Sequence, residues 1–304
     1  MSRVDTRFAS GPGWCAGWWY EPVNATTDSP AEGRGPVVIM AHGLGAVKEM
    51  GLQPYAERFA AEGYRVLVFD YRHFGGSDGD PRELLDISRQ LDDWAAALHH
   101  VRALPQVDPE RIVLWGTSFA GGHVIQAAAH DGRVAAIISQ CPFTDGFASL
   151  RKLGVQSMVK ATALGIRDAV QSLRGRRPVR VSLVGRRGEA ALMTSPDAYD
   201  GYSALVPSGF EHPDKVTARV GLRIPFYYPG RAAAELECPA LFCVCTKDSV
   251  APARATIWHV RKARLGRIKR YPTGHFDIYV EPWFERVVAD QVEFLHANVP
   301  VGDG

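Results

Sequence analysis

Little in this sequence suggests a disulfide scaffold, a membrane span or a polyanionic partner. The five cysteines, Cys15, Cys141, Cys238, Cys243 and Cys245, are odd in number and irregular in spacing, which argues against a disulfide framework. Cys243 and Cys245 alternate along a strand-like run and read as small apolar fillers on one face. No further ligands stand near them at suitable spacing, so no metal is expected. The net charge is only +2, too small to imply a nucleic-acid partner. The arginines gather locally at Arg174, Arg176, Arg177, Arg180, Arg186 and Arg187, and that cluster reads as solvated surface. No run of about eighteen apolar residues occurs, so neither a transmembrane helix nor a membrane partner is expected. Met1 to Ser10 carries Arg3, Asp5 and Arg7 without an apolar core, so no signal peptide is read there and the cytoplasm is the expected location. With 46% hydrophobic and 22% charged residues the balance is globular, and 304 residues suffice for one large α/β domain with an inserted cap.

The organising stretch is Ile112-Val113-Leu114-Trp115-Gly116-Thr117-Ser118-Phe119-Ala120-Gly121-Gly122. β-formers end in a glycine, a serine follows between small residues, and a small-residue helical run begins at once. Strand, sharp turn and helix would raise the Ser118 hydroxyl above a sheet, where a base can reach it. The N–H of Phe119 would face the carbonyl under attack. The usual pattern is G-x-S-x-G, and Ala120 departs from it by one methyl group. Upstream, the apolar run Pro36 to Ala41 leads into His42-Gly43-Leu44-Gly45. Its glycines let the backbone turn so that a second N–H, that of Leu44, faces the same place.

Around these points strands alternate with helices. A hairpin is expected over residues 6 to 23, with Trp18, Trp19 and Tyr20 covering a sheet edge, and a surface loop over 24 to 36. A helix is expected from Gln53 to Gly63, a buried strand from Tyr64 to Tyr71, a helix from Leu84 to Ala103 and a strand from Val134 to Ser139. That rhythm predicts a doubly wound, mostly parallel sheet with ligands at the carboxyl ends of its strands. Asp70 and Asp78 read as residues that fix the loop after their strand, and His73 as a loop residue. The adjacent Asp92 and Asp93 point apart and make no carboxylate pair.

Residues 144 to 234 break the rhythm. Thr144 to Arg174 reads as helical and Pro178 to Val184 as a short strand; the whole reads as a cap inserted between core segments 1–143 and 235–304. The sheet resumes at Cys238 to Cys245 and ends at Asp248, in the loop past a late strand. A helix from Ala253 to Ala263 and a strand from Gly266 to Tyr271 lead to Pro272-Thr273-Gly274-His275-Phe276-Asp277. The final helix is Trp283 to Asn298. Ser118, Asp248 and His275 therefore come in the chain order of a nucleophile, an acid and a base on such a sheet. Asp277 stands too close to His275 in sequence to orient it from the correct side. Glu189 and Asp197 fall in the cap.

With these motifs in place, the chain resembles the α/β-hydrolase superfamily over nearly its whole length. It looks nearest to the branch related to dienelactone hydrolases and X-prolyl dipeptidyl-peptidase-type hydrolases. Ala41 to Met50, Phe69 to Gly75 and Gly274 to Tyr279 also look like microbial hydrolases and fungal polyketide-transferase-like proteins. The resemblance implies Ser118 as nucleophile, His275 as base, Asp248 as acid, and the N–H groups of Leu44 and Phe119 as the oxyanion hole. It implies no cofactor and a small-molecule acyl substrate. Serine at 118 argues against dehalogenase or epoxide-hydrolase chemistry, which the resemblance would give to aspartate, and against a dienelactone hydrolase proper, which would carry cysteine. The expected activity is hydrolysis of a carboxylic ester or lactone through an acyl-enzyme. The alternatives are a thioesterase or acyl (polyketide) transferase, an X-prolyl-type peptidase, and a non-catalytic ligand-binding protein. No separate domain for gripping a peptide amine is visible, and no member of the triad is missing. Nothing in the sequence indicates an oligomer.

Overall fold

The computed structural model describes residues 2–22 and 34–302; the loop expected over 24 to 36 falls almost wholly outside them. The chain opens with an antiparallel pair, β1 (Ser2–Ser10) and β2 (Gly13–Glu21). Then β3 (Gly35–Ala41), α1 (Gln53–Ala61), β4 (Arg65–Phe69), α2 (Ile87–Arg102), β5 (Val107–Thr117), α3 (Phe119–Asp131) and β6 (Ala136–Gln140) alternate. An inserted stretch follows: α4 (Gly146–Leu150), α5 (Val155–Leu173), β7 (Arg180–Val184), β8 (Ala191–Met193), α6 (Ala198–Ala204) and β9 (Lys215–Thr217), then short 3-10 turns up to Glu235. The chain finishes with β10 (Ala240–Cys245), α7 (Ala253–Val260), β11 (Gly266–Tyr271) and α8 (Trp283–Asn298).

Eight strands form one sheet in the order β1-β2-β4-β3-β5-β6-β10-β11. β2 runs antiparallel to β1 and β4, and the remaining neighbours are parallel. Every residue of β4, β6 and β10 is buried. That is why these strands read as unbroken apolar runs: parallel strands are covered by helices on both faces. Two tryptophans tie the helices to the sheet. Trp94 of α2 donates its indole N–H to Tyr71 Oη at 2.9 Å, and Trp115 of β5 donates to Gln291 Oε1 of α8 at 3.0 Å. Both are fully buried, each stabilising the fold by roughly 2–3 kcal/mol. Asp86 caps α2, its carboxylate accepting from the N–H groups of Ser88 at 3.1 Å and Arg89 at 3.2 Å, a contribution of about 1 kcal/mol.

Loop carboxylates fix the strand ends beside the site. Asp70, just past β4, accepts from the backbone N–H of Lys48 at 2.8 Å, from Lys48 Nζ at 2.7 Å and from the N–H of Gly76 at 3.1 Å. Asp78 accepts from the Trp14 N–H at 3.1 Å. Of the adjacent pair, Asp93 is buried and bonded to Arg72 Nε at 2.5 Å and Ser10 Oγ at 2.6 Å. His73 donates from Nδ1 to the Pro81 carbonyl at 2.9 Å and accepts at Nε2 from Arg89. The six clustered arginines are all exposed.

The inserted stretch differs from the sequence expectation. Thr144 to Arg174 is two helices rather than one, broken where Gly154 takes an extended conformation (φ −64°, ψ 145°) before α5. Glycine is the weakest helix former short of proline, and one residue at this ψ ends a helix. β7 pairs parallel with β8 and antiparallel with β9 in a second, three-stranded sheet. β8 and β9, three residues each, have too little alternation to read in advance.

Candidate active site

The candidate side chains stand at the carboxyl ends of β3, β5, β10 and β11. Ser118 follows β5 directly, at φ 56° and ψ −114°, a conformation L-residues rarely adopt and one that surrounding structure must hold. Its N–H donates to the Gln140 carbonyl at 2.9 Å, and its carbonyl accepts from the Phe143 N–H at 2.8 Å. Close packing around the turn explains the small residues. A Cβ at Gly116 would lie 2.2 Å from the Ala120 carbonyl oxygen, and one at Gly122 would lie 2.2 Å from that of Phe143. The tight approaches thus fall on Gly116 and Gly122, while Ala120 is buried with its methyl in place. The departure from G-x-S-x-G is accommodated.

Ser118 Oγ lies 2.9 Å from His275 Nε2, and His275 Nδ1 lies 2.7 Å from Asp248 Oδ2. A carboxylate only accepts, so Nδ1 carries the proton and Nε2 is free to accept from the serine hydroxyl. The imidazole and carboxylate side chains are each 2% exposed. Asp248 is aimed by its own turn: Oδ1 accepts from the N–H groups of Val250 at 2.8 Å and Ala251 at 2.6 Å. Asp277 does a different job. Its Oδ2 accepts from Thr273 Oγ1 at 2.7 Å and the Gly274 N–H at 2.8 Å, closing the turn that presents His275. Thr246 and Lys247 donate to the carbonyls of Tyr271 and Thr273 at 2.7 and 3.1 Å, so the loops bearing Asp248 and His275 are stitched together.

Phe119 opens α3, where the first peptide N–H groups have no partner within the helix. The loop after β3 lies against the serine: a Cβ at Gly43 would be 2.9 Å from Ser118 Cβ. His42 decides which N–H of that loop is available. Its Nδ1 accepts from the Gly43 N–H at 2.7 Å, and its Nε2 donates to the Met50 carbonyl at 2.5 Å. Burial pushes the His42 pKa down to about 4, keeping the ring neutral in that tautomer. With the Gly43 N–H engaged, Leu44 is the next donor along the loop, and Leu44 borders the same cavity as Ser118. The sequence marked the His-Gly dipeptide but not this use of the ring.

Cys141 also lies beside this turn, 3.6 Å by Sγ from Thr117 Oγ1. Burial, with the Asp248 carboxylate adding to it, pushes its thiol pKa well up, so it stays protonated and unreactive. Among the described residues no three His, Cys, Asp or Glu side chains gather as a metal set, and no helix is long and apolar enough to cross a membrane.

Ser118 opens into a cavity whose walls are mainly apolar. Phe143 and Val250 come from the core, and Leu153, Met158, Leu192 and Ile224 from the inserted stretch. Ser249, next to Asp248 in the chain, donates to Asp197 and lies 3.0 Å from Ser195 Oγ. The insertion is thereby tied to the Asp248 turn. Sequence reading placed Asp197 only in the cap, and no local pattern signalled this contact.

Comparison with known proteins agrees with this architecture. Residues 36–282 match the family model for the alpha/beta hydrolase fold. The chain is 49% identical over 301 residues to the quorum-quenching protein AidA of Acinetobacter baumannii, covering 99% of this chain and 97% of that one. It is 34% identical over 191 residues to the polyketide transferase ATR5 of Stachybotrys chlorohalonatus, covering 62% and 59%. The crystal structure of the α/β hydrolase GrgF from Penicillium superposes with a TM-score of 0.81 at 22% identity, covering 98% and 99%. This protein belongs to the alpha/beta hydrolase fold family.

Proposed function

We propose that the protein is a serine hydrolase that cleaves a carboxylic ester or lactone through an acyl-enzyme on Ser118. The observation that carries the reading is the continuous hydrogen-bonded line from Asp248 through His275 to Ser118, with links of 2.7 and 2.9 Å. His275 Nε2 takes the hydroxyl proton as Ser118 Oγ attacks the acyl carbonyl. Asp248 holds the Nδ1–H tautomer and stabilises the imidazolium. The N–H groups of Leu44 and Phe119 receive the oxyanion. His275 then protonates the leaving alkoxide. In the second half it takes a proton from water as the water oxygen attacks the acyl carbonyl, and returns it to Ser118 Oγ as the acid is released.

The apolar cavity supports an acyl chain as the group retained on the enzyme. Residues 144–234 act as the cap over it. The resemblance to a polyketide transferase favours a second reading, acyl transfer or thioester cleavage by the same machinery, with an acceptor other than water in the second half. The five cysteines are free, which suits a reducing compartment such as the cytoplasm.

The test is turnover of a graded set of p-nitrophenyl esters and acyl thioesters, wild type beside Ser118→Ala. Ester hydrolysis lost in the variant supports the proposal, and the best chain length sizes the cavity. Product formed only when an acceptor alcohol or thiol is added selects the transferase. Undiminished turnover in Ser118→Ala overturns both.

A further inference from the structure

α5 has two unlike sides. Ser157, Ala161, Gly165 and Asp168 are buried against the rest of the protein. On the other side Val155, Val159, Ile166, Val170 and Leu173 stand in solvent, from 40% exposed at Val170 to 89% at Leu173. Their spacings of four, seven, four and three residues return each time to one side of a helix, so the five form an aliphatic stripe about 27 Å long. Exposed apolar patches rimmed by polar groups mark surfaces that meet a partner. The rim here is cationic. Residues 151–187 hold ten Lys and Arg and one acidic residue, Asp168, a net +9 in a chain whose total is +2. All ten cations are exposed. Asp168 is buried and paired with Arg219 Nε at 3.1 Å, and of the ten cations only Arg180 has an acidic partner among the described residues, Glu83. Lys160 and Arg167, seven residues apart, run beside the stripe. Gly188 donates its N–H to Ser157 Oγ at 3.0 Å and accepts from Lys160 Nζ at 2.8 Å, which sets the Arg186–Arg187 turn alongside the first turns of α5. Arg174, Arg176 and Arg177 follow its last turn.

We propose that α5 docks the protein on an anionic lipid bilayer, its aliphatic stripe lying at the boundary of headgroups and acyl chains and the surrounding cations meeting lipid phosphates. An apolar helix face flanked by Lys and Arg suits that interface, and each cation held near an anionic leaflet adds to the attraction. Charge decides against the other occupants. A second copy seated on the same face would bring two clusters of net +9 together. A nucleic acid would satisfy the cations but leave five aliphatic side chains against a phosphate backbone. The expectation of no membrane partner considered only spanning runs. No helix among the described residues can cross a membrane, but lying on one asks only for the stripe and its basic flanks. Thr162, exposed on the same helix, also borders the cavity above Ser118, as do Met158 and Ala161. Docking thus sets a wall of that cavity against the lipid. On the reading of the cavity as the acyl site, the substrates favoured are esters that partition into the bilayer.

The test is co-sedimentation of the full-length protein with vesicles of phosphatidylcholine alone and of phosphatidylcholine with about one-third phosphatidylglycerol. At low salt the wild type should pellet with the anionic vesicles and stay in solution with phosphatidylcholine alone. Val159→Ser combined with Ile166→Ser should weaken that binding about tenfold. Arg174→Gln, Arg176→Gln and Arg177→Gln together should weaken it about a hundredfold. All five side chains are exposed, so the melting curves should match the wild type, and Val159→Leu with Ile166→Leu, which keeps the stripe, should bind as the wild type does. Ser118→Ala should also bind undiminished, so docking and hydrolysis are scored apart: loss of the hydrolytic reading would leave the vesicle result standing. Absence of binding, equal binding to both vesicle types, or a serine pair that pellets like the wild type would overturn the proposal. So would a dimer in light scattering that Ile166→Ser dissociates in a protein that ignores vesicles, or duplex DNA bound more tightly than the anionic vesicles.

Discussion

Replacing Gly43 by alanine should damage the chemistry far more than the fold. The added Cβ would stand 2.9 Å from Ser118 Cβ, 3.3 Å from Ser118 Oγ and 3.3 Å from the Thr117 carbonyl oxygen. Carbon atoms in comfortable contact sit about 3.5–4.0 Å apart, so one side has to yield by roughly 0.5–1 Å. Ser118 is poorly placed to yield, because Gln140 and Phe143 grip its peptide groups on both sides. The loop carrying the Leu44 N–H moves instead. A displacement of that size at reacting groups costs about a hundredfold, and losing one oxyanion donor costs about a hundred- to a thousandfold in kcat. We therefore expect kcat on a p-nitrophenyl ester to fall about a hundredfold, with a stability loss in urea of about 1–2 kcal/mol from overpacking. Gly132→Ala is the matched control. Gly132 ends α3 at φ +69° with nothing within 4 Å of a built Cβ. It should lose about 1 kcal/mol of stability from left-handed strain and keep its kcat. A Gly43→Ala protein whose kcat stays within about threefold of wild type would refute the placement of this loop against the serine.

Three further outcomes follow from the same geometry. Asp248→Asn should leave the fold intact and lower kcat by about a thousand- to ten-thousandfold, because the amide favours the wrong imidazole tautomer; a steady-state assay with a melting curve checks this, and a loss below tenfold would contradict it. Tyr227→Phe should cost about 1–3 kcal/mol in urea unfolding, since Tyr227 Oη donates to His123 Nδ1 at 2.6 Å inside the core while His123 Nε2 donates to Gln90 at 2.9 Å; an unchanged midpoint would count against that network. Burial lowers the pKa of His42 to about 4 and of His123 to about 3, whereas the unfolded chain protonates its histidines near 6.5. The unfolded state therefore binds more protons below that value, and the stabilising contribution of these rings, complete above pH 6.5, falls away as pH drops toward 4 and then 3. At pH 4.5 the loss is about 2–3 kcal/mol for each ring. In His42→Asn, whose side-chain oxygen can still accept from the Gly43 N–H, that share of the slope in a urea-midpoint series should disappear; an identical slope would show that His42 does not titrate as described.

The parts of the molecule that the sequence exposed are those where local chemistry and tertiary position coincide. β11 and α8 begin and end at the expected residues, since a glycine-led strand and a helix with a strongly apolar face need little help from context. The serine turn was legible from its small residues at 116 and 120, although the second tight approach falls on Gly122 and Ala120 keeps its methyl group. The position of Asp248 beside His275 was legible because a carboxylate in the loop past a late strand falls at the carboxyl edge of the sheet. The inserted stretch was not. Its helix break rests on the single residue Gly154, and its short strands β8 and β9 exist because β7 offers them edges.

The account stands or falls on a covalent acyl group at Ser118. The direct measurement is rapid mixing of the protein with an excess of a p-nitrophenyl ester, following the p-nitrophenol released in the first turnover and determining the mass of the acid-quenched protein. The account predicts an adduct with the mass of the acyl group, mapped by peptide mass spectrometry to the peptide containing Ser118, absent in Ser118→Ala, and longer-lived when Asp248 is replaced by asparagine. Steady hydrolysis with no adduct on Ser118 under any quench, or the same adduct formed on another residue in Ser118→Ala at the wild-type rate, would contradict it.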